Sequence, residues 1–122
     1  MNRLSGPDNG PTETIAMQND RFRRDLVNGS SIIPGRYMLT RGISSLDDSS
    51  VARILHQVAT FSAFTAGNDP YGEHDFGRVE FGNHTIFWKI DYYDNDYLMG
   101  SPCKTDTSVT KRVLTVMLAS EY

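Results

Sequence analysis

The sequence predicts a single α+β domain in which a small antiparallel sheet, made of one strand plus a hairpin, packs against about three helices. Three observations lead there. Val51, Ile54, Leu55, Val58 and Phe61 recur at helical spacing. Gly82-Asn83 stands between two stretches of alternating apolar residues, the mark of a two-residue hairpin. The chain has 122 residues, of which 39% are hydrophobic. That is enough to bury about two-thirds of the unfolded surface in one core, but not enough for two cores. Residues 1–11, rich in Gly, Pro, Asn, Asp and Ser, are expected to form a flexible tail, and residues 12–122 the domain.

Each element has its own signal. Thr12 can cap a first helix over about 12–27, with Ile15, Phe22 and Leu26 near one face and Asn28-Gly29 as the stop. Arg21, Arg23 and Arg24 are expected on its solvent side. Arg36–Arg41 suits a strand that Gly42 ends. Ser45 as N-cap with Asp48 three residues on then starts a helix over about 46–60. In the hairpin, Phe81 should face His84, Val79 should face Ile86 and Phe76 should face Lys89. A type II′ turn is expected at Gly82-Asn83. Alternation then puts Val79, Phe81, Ile86, Trp88 and Ile90 on the core face. His74, Phe76, Arg78, Glu80, Phe87, Lys89, Asp91 and Tyr93 fall on the other. Val109, Val113, Val116 and Met117 read as the stripe of a last helix over about 108–120. A buried strand over Val113–Leu118 is the competing reading.

Charge and cysteine content narrow the functional classes. The net charge is −3, but residues 67–96 hold seven acids against Arg78 and Lys89. Such a segment repels phosphate and attracts a basic surface or a cation. One cysteine, Cys103, cannot form an internal disulfide, which points to a reducing, cytoplasmic setting and an incidental loop thiol. No apolar run nears the roughly 20 residues of a membrane span, and the polar Met1–Gly10 does not resemble a secretory signal.

The blocks Asn68-Asp69-Pro70-Tyr71-Gly72-Glu73-His74-Asp75-Phe76-Gly77, Phe87-Trp88-Lys89-Ile90-Asp91-Tyr92-Tyr93-Asp94 and Arg112–Ala119 resemble the bacterial family catalogued as domain of unknown function 3768. The resemblance spans roughly residues 15–122. It implies a bacterial, often mobile-element setting, and it brings no activity, cofactor or catalytic residue.

Two functional classes follow. The preferred one is a non-enzymatic protein-interaction module, an inhibitor of a host defence complex of the anti-CRISPR or anti-restriction type. Its partner-binding residues would be Asp69, Tyr71, Glu73, Arg78, Glu80, Lys89, Tyr93, Asp94 and Asp96, and its partner a protein with a basic surface. No cofactor, direct nucleic-acid binding or membrane is expected, and the oligomeric state is open. The alternative is a small metal-assisted hydrolase or nuclease. There His74 and Asp91 would act as base and orienter beside Lys89, and Asp69, His74 and Asp91 would hold the ion. Without a metal, His74 and Asp91 form a structural pair that ties down the preceding loop.

Overall fold

The computed structural model describes residues 13–122, so the expected tail over 1–11 and the Thr12 cap lie outside the described residues. Helix α1 (Ile15–Arg24) starts at Thr14, whose Oγ1 accepts from the Met17 amide at 3.1 Å. It runs on as one 3-10 turn, Asp25–Asn28, and stops at Gly29 with φ +76°, a conformation that a Cβ would disfavour. Strand β1 (Gly35–Leu39) leads into a one-turn helix, α2 (Arg41–Ser44), and then α3 (Asp48–Ala59). The α3 cap is Asp47, which accepts from the Ser50 amide at 3.1 Å, rather than the expected Ser45. Strands β2 (Phe76–Phe81) and β3 (His84–Tyr93) form the hairpin, and β4 (Lys111–Leu118) is followed by a 3-10 turn, Ala119–Glu121.

The hairpin register matches expectation: Phe81 faces His84, Val79 faces Ile86 and Phe76 faces Lys89. Gly82 has φ +60° and Asn83 does not share a positive φ, as a type II′ turn requires. The expected third helix over 108–120 is instead β4. Its inward positions are Arg112, Leu114 and Val116, and Val113, Thr115 and Met117 point the other way. Both faces carry apolar residues and the first inward one is an arginine, so polarity does not alternate and the period-two signal is hidden. The β-branched Val and Thr residues fit the pleat better than a helix. Because β1 joins β4 in parallel, the sheet is mixed, in the order β1-β4-β3-β2. The α+β class stands.

All three helices send their buried residues to the same side. Phe22 and Leu26 (at the α1 end), Ile43 of α2, and Ile54 and Val58 of α3 pack on Ile86, Trp88, Ile90, Leu114 and Val116. Arg23, expected in solvent, is 3% exposed. It lies one residue from Phe22 on the buried stripe, and its guanidinium reaches the carbonyls of Val58, Ala59 and Phe61 at 3.1–3.4 Å. These lie at and just beyond the C-terminal end of α3, where a cation is favoured.

Trp88 is the centre of the core. Phe61 and Phe64 meet it edge-on at 5.5 and 6.2 Å, and the Arg23 guanidinium lies 4.9 Å from its ring. Its cross-strand partner is Gly77, where a Cβ would come within 2.4 Å of the indole nitrogen. The absent side chain is what makes room for the ring. Trp88→Ala should therefore cost about 3–5 kcal/mol as a large-to-small core change. Gly77→Ala should cost about 1–3 kcal/mol by overpacking. Urea denaturation with unchanged m-values checks both.

Candidate functional site

On the helix side, the loop after α3 returns to the sheet through a set of local hydrogen bonds. The Asp69 carboxylate accepts from the amides of Glu73 and His74, both at 3.2 Å. His74 itself sits at φ +57°, and the Asp75 carbonyl accepts from the Ile90 amide at 2.8 Å to begin the hairpin ladder. The left-handed turn swings the imidazole toward α1. There it stacks on Phe64 at 3.9 Å between ring centres, with its planes 3° apart. Nδ1 meets the Asp20 carboxylate at 2.9 Å and Nε2 lies 3.6 Å from Asp69.

The expected His74–Asp91 pair does not form. His74 faces the helices, whereas Asp91 points from the opposite face of the sheet and pairs with Lys89 at 2.8 Å. Sheet alternation fixes that separation, because Trp88 and Ile90 on either side of Lys89 are core residues. The set Asp69, His74 and Asp91 is therefore not brought together. Among the described residues, no group of three or more His, Cys, Asp or Glu side chains is arranged to hold a metal ion. A cleft of about 270 Å³ beside His74 is lined by Asp20, Arg23, Arg24, Ser62 and Phe64. With its two ring nitrogens turned to two carboxylates, His74 serves as a clamp that ties loop to helix.

A buried polar network continues from this clamp. Asn19 donates to the Glu73 carbonyl at 2.9 Å and to the Tyr92 hydroxyl at 2.8 Å, and Tyr92 donates to Asp75 at 3.1 Å. Burial, the main cause, holds the Tyr92 phenol well above its ordinary range. Arg112 is fully buried and donates to Asn19, Gln18 and the Lys104 carbonyl at 2.7–3.2 Å. Burial lowers its pKa. Asp20, Arg23, Gln18, Asn19 and Arg112 carry this side of the protein, and none of them was singled out in the sequence as a site residue. For three of them position was the signal, since Gln18, Asn19 and Arg23 share the helical stripe with Phe22; Asp20 and Arg112 had none.

The second face of the sheet bears no helix among the described residues. Phe76 and Phe87 lie half-buried, 5.3 Å apart, and the C-terminal Tyr122 closes over them at 5.7–6.0 Å. Arg78 pairs with Glu80 at 2.7 Å. The Arg78 guanidinium, and then the Thr85 hydroxyl, hold the Glu80 carboxyl below its usual range. The bond to Asp91 raises the Lys89 pKa. At the far end Arg36 stacks on Tyr97 at 3.8 Å, next to Tyr93.

The nine partner-contact candidates thus fall in three places. Arg78, Glu80, Lys89 and Tyr93 share the open face. Asp94 and Asp96 belong to the loop at its end. Asp69, Tyr71 and Glu73 lie in the loop on the helix side, where Glu73 is 3.9 Å from Lys104.

Two outcomes follow from this geometry. Asp20 and His74 are both partly exposed, so a double-mutant cycle of Asp20→Asn and His74→Ala should give about 0.5–1 kcal/mol of coupling. Amide exchange should then quicken over residues 68–75. Tyr122 is placed by Glu121, whose carboxylate accepts from Thr40 Oγ1 and from the amides of Leu118 and Gly42 at 2.6–2.9 Å. These bonds, Thr40 first, lower its pKa below the ordinary 4.5. A lowered carboxyl contributes stability above its unfolded value and loses it as pH falls through the folded one. Protection of the Gly42 and Leu118 amides should therefore hold at neutral pH and fall only below pH 4.5. Glu121→Gln should weaken that protection at every pH.

A family model described as "Protein of unknown function (DUF3768)" matches residues 39–121. No curated protein and no solved structure gives a match. The match covers β2, β3 and β4 with the loops between them and leaves out α1, which supplies Asp20 and Arg23. By that match over most of its length, the chain belongs to the DUF3768 family.

Proposed function

We propose that this protein is a non-enzymatic interaction module that docks on another protein through the open, mixed-charge face of its sheet, with basic groups of the partner meeting the acidic loop at one end of that face. The observation that carries the reading is the composition of that face. Phe76, Phe87, Tyr93 and Tyr122 stand among Arg36, Arg78, Lys89 and Lys111, with the acids Glu80 and Asp91 between them. Aromatic and arginine side chains on a rigid sheet are the groups that dominate interface energetics. Asp94 and Asp96 at its end add attraction toward a basic partner. No helix of the described residues is long and apolar enough to cross a membrane, and the acidic balance disfavours a phosphate backbone. The bacterial, mobile-element setting implied by the family resemblance extends this reading to an inhibitor of a host defence complex acting in the cytoplasm.

The test is a transformation assay in cells with an active CRISPR or restriction system. Expression of the chain should restore transformation by a targeted plasmid, and Lys89→Glu with Tyr93→Ala should return it to baseline while the thermal midpoint stays within a few degrees. No rescue in either system would overturn the inhibitor reading. A Mg²⁺-, Mn²⁺- or Zn²⁺-dependent hydrolytic activity abolished by His74→Ala would overturn the non-enzymatic one.

A further inference from the structure

The two edges of the sheet are finished differently. At the β2 edge the ladder begins with the Ile90 amide on the Asp75 carbonyl, so Gly77, Val79 and Phe81 bond to β3. Phe76, Arg78 and Glu80 turn their backbone groups outward. The charged side chains of Arg78 and Glu80 stand there, and the Glu80 carbonyl accepts from Gln57 of α3 at 3.4 Å. Charges and a covering side chain guard an edge against stray strand pairing.

The β1 edge has no such guard among the described residues. The Pro34 carbonyl accepts from the Arg112 amide at 3.0 Å and the Thr40 amide donates to the Val116 carbonyl at 3.1 Å. Arg36 and Met38, in step with them, bond to β4. Gly35, Tyr37 and Leu39 therefore turn their N–H and C=O groups away from the sheet, and these have no hydrogen-bond partner among the described residues. Arg36 is the one charged residue of the strand, and it stacks on Tyr97. A groove of about 510 Å³ beside this edge is lined by Leu26, Tyr37, Leu39 and Leu55. The exposed Val27 and Ile32 belong to the segment between α1 and β1 that borders it.

An edge of this kind is closed by another strand, and β1 fits itself. Placed antiparallel to a second copy about a two-fold axis at Tyr37, it sets Tyr37 opposite Tyr37, Gly35 opposite Leu39 and Arg36 opposite Met38. The first two pairs are made of the outward-turned residues, which then exchange both N–H···O bonds, while Arg36 and Met38 stay bonded to β4. The smallest residue meets the leucine at each end. The lone charge meets a half-exposed apolar side chain rather than its own copy. Helices stay on one side in both copies, and the two four-stranded sheets join into one. We infer that β1 is a dimerisation edge whose occupant is β1 of a second copy of this chain, in an isologous contact. The edge is separate from the open face, so this goes beyond the docking reading and neither stands or falls with the other.

The test is sedimentation equilibrium of the full chain over a range of concentrations, with amide exchange read at the same concentrations. A reversible monomer–dimer equilibrium is expected. The Tyr37 and Leu39 amides should become protected as the dimer fills, while Arg78 at the other edge does not change. Met38→Lys sets a cation opposite Arg36 of the second copy and should weaken the dimer about tenfold. Met38→Glu sets an anion there and should hold it at least as tightly as wild type. Met38 is half-exposed, so neither should move the thermal midpoint of the monomer. A chain that stays monomeric up to about 1 mM overturns the inference. So does a dimer that both variants weaken alike or that neither changes, since its contact is not in this register. Protection of Tyr37 and Leu39 that is independent of concentration also overturns it, because the edge is then covered within one chain.

Discussion

Arg23 is the constraint on which the rest of the helix side depends. Its guanidinium joins three things that the chain makes separately: the buried carbonyls at the C-terminal end of α3, the Asp20 carboxylate 2.8 Å away, and the ring faces of Trp88 and Phe64. Burial lowers its pKa, and Asp20 opposes that shift. The balance holds only with all partners in place, because an uncompensated buried charge costs about 3–5 kcal/mol. Asp20 in turn faces both Arg23 and His74, so the position of the loop carrying His74 is set by a cation 51 residues before it in the chain. Packing of the helices, closure of the core over Trp88 and the path into the hairpin are thus one linked arrangement.

That linkage explains what the sequence could and could not reveal. The hairpin was legible down to its register because its information is local: two turn residues and the alternation on either side. Helix α3 was legible from its stripe, with the cap misplaced because Ser45, Asp47 and Asp48 all have capping side chains. The last strand was not legible, since Arg112 occupies an inward position and Val113 and Met117 occupy outward ones. Such a pattern becomes readable only when Gln18 and Asn19 are known to receive the guanidinium, 93 to 94 residues away in sequence. His74 failed for the same reason. It was assigned a partner by sheet register, but the left-handed backbone at that residue takes it out of the strand and toward Asp20.

The two faces of the sheet divide the work. The helix side is filled by Trp88, its aromatic neighbours and the polar network, which leaves little freedom for rearrangement. The open face satisfies its charges in short pairs along single strands, Arg78 with Glu80 and Lys89 with Asp91. Such exposed pairs are screened by solvent and add little to stability. They can be opened or extended by an incoming group without cost to the fold, and so they suit a surface meant for contact.

The same pairing changes the meaning of the acidic segment. Of its seven acids, Glu80 and Asp91 are neutralised on the open face and Glu73 stands near Lys104. Asp75 accepts from Tyr92, Asp69 faces His74, and Asp94 is occupied by its own loop amides. Asp96 alone projects without a salt bridge or side-chain hydrogen bond among the described residues. A net charge of −3 therefore does not form one broad patch that would drive tight, unselective association with any cation. It leaves a face of mixed sign with surplus Arg36 and Lys111, bordered by a loop that is apolar at its tip and acidic beside it. Patterns of this kind act mainly by penalising mismatched partners, since each misplaced like charge must be desolvated against its own sign. Contact with the aromatic side chains of Phe76 and Phe87 and sign along β2 and β3 must then be met together, and a surface that matches only one of them gains little.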